Sequence, residues 1–180
     1  MAGFSRLLPH ATISSAKKTT ASFATLVAEL DGDLKELERI GAQNARAWKR
    51  IESGDDDPID WGALGFTLHR LYGVLENYFL RISKSFENSL TGERWHRDLV
   101  EKMQLDIPGV RPPLFTEERD HKNAVELMRF RLRFRNLYGE DLDPEKTAVV
   151  QKRARSLIAE FPGIHERFRK KVDAIAQGLP

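Results

Sequence analysis

The chain has 180 residues, 41% of them apolar and 31% charged, and a formal net charge of +2. That length suits one domain with a full hydrophobic core, and so small a net charge does not by itself imply a nucleic-acid binder. There is no cysteine, which excludes disulfides, thiolate zinc sites and cysteine nucleophiles and fits a reducing compartment. No apolar run approaches the length of a membrane span, so a cytoplasmic protein with no membrane partner is expected.

Residues 1–21 contain Arg6, Lys17 and Lys18, no acidic residue, and many Ser, Thr and Ala. Their composition resembles an organelle transit peptide. A flexible N-terminal extension outside the fold is the preferred reading. Leu26, Leu30, Leu34, Leu37, Ile40, Asn44, Trp48 and Ile51 then recur at helical spacing and predict an amphipathic helix over about 22–52. Ser53-Gly54 and Asp55-Asp56-Asp57 end it, the acids reading as a solvated turn.

Pro58 and Asp60 open a second helix, with Asp60 as N-cap. Its stripe is Leu64, Leu68, Leu71, Leu75, Phe79, Ile82 and Phe86, a bundle-like periodicity. Tyr72, Tyr78 and Phe66 widen the apolar face, and a dimer contact is one explanation. His69 and Glu76 read as ordinary helix residues. Thr91-Gly92 caps a short helix from Glu93 to about Gln104, carrying Trp95, His96, Leu99 and Met103. The prolines of Ile107-Pro108-Gly109-Val110-Arg111-Pro112-Pro113 then predict an extended connection. Thr116-Glu117-Glu118 starts the next helix. Asp143-Pro144-Glu145 opens the last one, which Pro162-Gly163 is expected to break or kink. No alternating strand is evident. The fold class is all-α, an antiparallel bundle of about five helices.

The basic residues are unevenly placed. Arg129–Arg135, Lys152–Arg155 and Arg167–Lys171 form three clusters in the last third of the chain, which permits a local anion site. The first cluster belongs to Arg129-Phe130-Arg131-Leu132-Arg133-Phe134-Arg135-Asn136-Leu137-Tyr138-Gly139. Leu127, Phe130, Phe134 and Leu137 make this the end of a packed helix, with Gly139 as its stop. Arg129 and Arg133 fall on one side, Arg131 and Arg135 on the other, and Tyr138 lies about 20° from Arg131 round the helix. A half-buried guanidinium needs an anion, either an internal carboxylate or a phosphate from outside. Arginine-rich helix ends are also common for the plain reason that cations suit the helix dipole.

Three segments together resemble the HepT-like branch of the HEPN superfamily from about residue 60 to 145. They are Leu68-His69-Arg70-Leu71-Tyr72-Gly73-Val74-Leu75-Glu76, then Gly92-Glu93-Arg94-Trp95-His96-Arg97-Asp98-Leu99-Val100 with Arg111-Pro112-Pro113, and Phe130 to Gly139. The resemblance implies a single HEPN/HepT-like domain over 22–180 that works as a homodimer. It implies a toxin of a toxin–antitoxin pair acting as a metal-independent endoribonuclease, without cofactor. The implied partners are RNA and a minimal nucleotidyltransferase (MNT) antitoxin that silences the toxin by AMPylating the motif tyrosine, here Tyr138. The family motif is Arg, four residues, His, one residue, Tyr. Arg131 and Tyr138 match it, and Asn136 stands at the histidine position. The implied catalytic residues are Arg131, Asn136 and Tyr138, with Arg131 and Arg135 on the phosphate. Asn136 cannot exchange a proton near neutral pH. An inactive HEPN module that binds RNA or the nucleotidyltransferase, and a plain structural bundle, are the competing readings. Of the histidines that would substitute, His121, His165 and His96, the last is the first to test. Residues five apart point about 140° away from each other, so Arg131 and Asn136 converge only if the last turn distorts or two protomers share the site.

Overall fold

The leucine stripe of the second helix makes it the axis of the molecule. In the computed structural model, which describes residues 10–54, 57–86, 95–137 and 141–178 with side chains from Ser22 onward, this helix is α2, Pro58–Phe86. It packs against all four others: α1 (His10–Glu52), α3 (Trp95–Lys102), α4 (Glu118–Phe134) and α5 (Pro144–Ala176). Leu64, Leu68, Leu71, Leu75, Phe79 and Ile82 are wholly buried, because a stripe of four- and three-residue steps stays on one side of a helix. Tyr72 and Tyr78 are buried within the same chain, whereas Phe66 is 55% exposed with the Arg70 guanidinium over its ring. The N-cap is Asp57 rather than Asp60. The Asp57 side chain accepts from the Asp60 amide at 2.9 Å, while Asp60 is itself buried and takes the Arg50 Nε at 2.6 Å.

The long helices α1 and α5 close the bundle. α1 starts at His10, inside the stretch expected to lie outside the fold. At its centre Asn44 exchanges amide hydrogen bonds with Gln151 of α5 at 2.9 and 2.8 Å, and donates to Thr67 of α2 at 2.9 Å. Three helices are thereby pinned in register by groups that have no water to bond instead. α5 is capped as expected, Asp143 accepting from the Lys146 amide. It does not break at Pro162. The helix runs through, with Phe161, Ile164 and Phe168 buried on both sides of an exposed proline, so packing outweighs the lost backbone bond.

The proline segment turns back rather than running extended. Ile107 and Arg111 bridge through N–H to carbonyl contacts of 2.8 and 2.9 Å, and Gly109 supplies the turn with a φ of 73°. Arg111, 1% exposed, donates to the Lys102 carbonyl at 2.7 Å, anchoring the turn to the end of α3. α4 begins after Glu117, which makes no side-chain cap, and ends at Phe134, sooner than the expected run to Leu137 and Gly139. Its last turn tightens, with the Asn136 amide bonding back three residues to Arg133 at 2.9 Å. Thr91-Gly92 and Gly139 lie outside the described residues.

Candidate functional site

α2 carries His69, Tyr72, Gly73 and Glu76 on one face, since steps of three and four residues bring side chains into line. α4 packs across this face, and Arg131 leans over Gly73. A β-carbon there would lie 3.1 Å from Arg131 Nη1, tighter than ordinary packing allows. Arg131 thus reaches Glu76, with Nη2 at 3.3 Å from Oε2. Nη1 lies 3.4 Å from both the His69 carbonyl and His69 Nε2. Of the two anions a half-buried guanidinium could take, the internal carboxylate is therefore present.

Glu76 is shared. Its other oxygen, Oε1, holds Nδ1 of His96 at 2.5 Å. His96 is the second residue of α3, and its ring stacks on Trp95 with centroids 3.6 Å apart. The Glu76 side chain is 8% exposed, His96 17% and Arg131 19%, so the cluster sits at the floor of the surface and not in bulk water.

The environment is short of hydrogen bonds. Among the described residues, Arg131 Nε, His69 Nδ1 and the Tyr72 hydroxyl are buried without a partner. Burial holds the His69 ring below its ordinary titration range, with the charges of Arg131 and then Arg135 adding to it and Glu76 opposing. Burial pushes the Tyr72 phenol upward, and Glu76 adds to that. Two arginines against one glutamate leave this corner with an excess of positive charge.

The residues expected at the site are placed as follows. Arg131 is at its centre. Arg135 is exposed just beyond α4, near enough for its charge to act on His69. Asn136 is exposed and donates through Nδ2 to the Leu132 carbonyl of its own helix at 3.1 Å. No hydrogen bond or ion pair joins it to Arg131 among the described residues, even though the last turn does tighten. Tyr138 lies outside the described residues. Arg129, on the opposite side, pairs with Glu126 at 2.7 Å. Reading the sequence missed Glu76 and His69. The signal was there for Glu76: it falls four residues after Tyr72 and three before Phe79, a carboxylate on an apolar stripe that calls for a buried cation. His121 contacts Glu101 at 3.5 Å near the far end of α4, and His165 is locked in the core between Tyr78 and Asp31, so neither reaches the cluster. No group of three or more His, Cys, Asp or Glu arranged to hold a metal occurs among the described residues. No helix among them is long and apolar enough to cross a membrane.

Fold and site together define an all-α bundle protein with a shared-carboxylate cluster where α2, α3 and α4 meet. A family model for HepT-like protein matches residues 63–172, which takes in the whole cluster, and the chain belongs to that family. Neither the curated proteins nor the solved structures contain a significant match to it.

Proposed function

We propose that the protein is a HepT-like toxin that cleaves RNA by metal-independent transesterification, with Arg131 and Arg135 on the phosphate. The observation that carries this is Arg131 itself. It is held on one carboxylate oxygen, its side chain is still partly open to solvent, and it stands beside a second, exposed arginine. A guanidinium positioned in this way suits the charge that develops on a phosphoryl group. Asn136, whose amide can only hydrogen-bond, contributes positioning of substrate. Tyr138 is the residue that a nucleotidyltransferase antitoxin would adenylylate.

Pairing of two copies belongs to the same reading. Ile59, Phe66 and Gly73 are spaced by seven residues and drift only about 20° per step, so they lie along one line of α2. Ile59 is 79% and Phe66 55% exposed, and Arg131 crosses this line at Gly73. An apolar strip running into the cluster supports a second subunit seated there.

Expression of the full chain is expected to arrest growth and the purified protein to cleave RNA, with Arg131→Ala losing about a hundredfold or more of the cleavage rate. Equal harmlessness of wild type and variant, with intact RNA in both, would remove the enzymatic reading. A non-catalytic module that binds RNA or the nucleotidyltransferase is the second reading, favoured by the exposed, proton-inert Asn136. It predicts stable complexes without cleavage. Co-expression with a minimal nucleotidyltransferase followed by intact-mass measurement is expected to show a single adenylate, mapped by peptide analysis to Tyr138.

A further inference from the structure

Transesterification of RNA needs a group that takes the proton of the ribose 2′-hydroxyl. We infer that His96, oriented by Glu76, is that group, an assignment that rests on the ribonuclease reading above. A carboxylate accepts hydrogen bonds and does not donate them, so the 2.5 Å contact puts a proton on His96 Nδ1, and in the neutral ring the lone pair then sits on Nε2. The same carboxylate holds Arg131 on its other oxygen, so Glu76 sets the base and the phosphate-binding cation at a fixed separation. Stacking on Trp95 restrains the ring plane.

The other polar groups nearby are less suited. His69 has Nδ1 buried without a partner and Nε2 against the Arg131 guanidinium, so neither nitrogen is open to a substrate. Asn136 does not exchange protons. Tyr72 is wholly buried.

In the step assigned, the 2′-hydroxyl oxygen attacks the adjacent phosphorus. Its proton passes to His96 Nε2 as the 2′-O–P bond forms. The P–O5′ bond breaks, and the leaving O5′ takes a proton from water. The products are a 2′,3′-cyclic phosphate and a 5′-hydroxyl end, and His96 returns its proton to solvent. Glu76 is a positioning residue here, and Arg131 neutralises the phosphate.

The test uses the full-length chain and a fluorescent RNA oligonucleotide. His96→Gln is expected to lower the cleavage rate by about a hundred- to ten-thousandfold. It is also expected to abolish the acidic limb of the pH–rate profile while RNA binding stays within about twofold. Added imidazole is expected to restore part of the rate to His96→Gly. On the unmutated protein, nitrogen-15 imidazole NMR is expected to show His96 as the Nδ1–H tautomer, a readout that does not depend on any variant folding. Wild-type rate and pH profile in His96→Gln, or an Nε2–H tautomer, overturns the assignment and leaves the ribonuclease reading intact. Absence of cleavage by the wild type and by Arg131→Ala alike overturns both.

Discussion

His69 and Arg131 touch, and the consequence is measurable as a pH dependence of stability. Burial and two arginines hold the folded His69 below its ordinary value of 6.5, and burial does the same for His121 despite Glu101 and Glu118. The unfolded chain therefore binds more protons than the folded chain as pH falls below about 6.5. The contribution of both rings is fully present above that value and is lost as pH drops through the lower folded values. Urea midpoints are expected to fall between about pH 7 and pH 5, and His69→Gln is expected to flatten that slope. An unchanged slope in the variant would mean that His69 titrates as freely in the fold as out of it. At this scale Arg131 was legible through the family motif, whereas helical spacing alone put Arg131 and Arg135 on the same side and Arg135 is exposed. Glu76 and His96 were harder to read as a unit, since their link crosses from α2 to α3 between positions twenty apart in the chain.

Helix faces, rather than single groups, decide how closely α2 and α4 approach. Gly65 is buried where a β-carbon would meet Leu142 Cδ1 at 2.4 Å and Phe134 Cε2 at 2.8 Å. Gly62, one turn earlier, has nothing within 4 Å of that position. Gly65→Ala is expected to destabilise by about 1–3 kcal/mol through overpacking. Gly62→Ala is expected to stabilise by about 0.5–1 kcal/mol by removing a flexible residue from a helix interior. Chemical denaturation of the two variants separates these signs. The periodic stripes of α1, α2 and α5 made those helices legible in the chain. Their ends were less so. Asp57 and Asp60 are equally good caps by residue type, and Pro162 reads as a breaker until neighbours on both sides are seen to be held in the core.

On the scale of the molecule, the Asn44–Gln151–Thr67 knot ties α1, α5 and α2 together away from water. Asn44→Leu leaves Gln151 and Thr67 without their partner and is expected to cost about 1–3 kcal/mol, read from the urea midpoint. A loss below the error of that measurement would mean the knot is decorative. Association is tested on the outer strip of α2. Sedimentation equilibrium is expected to show a dimer for the wild type and a monomer for Phe66→Asp, whose charge would have to be desolvated in the contact. A monomeric wild type at micromolar concentration would count against a shared site.

Helical class and element order were determined by the chain's own pattern, because hydrophobic periodicity is a local property, and the family was legible in the resemblance of three segments, which the family match over residues 63–172 bears out. Which anion meets Arg131 was decided only by the tertiary structure. So was the turning of Asn136 onto its own helix, and the drawing together of His96, Glu76 and Arg131 on one carboxylate. These depend on how three helices cross, and no spacing along the chain encodes the side chain that a neighbouring helix will present.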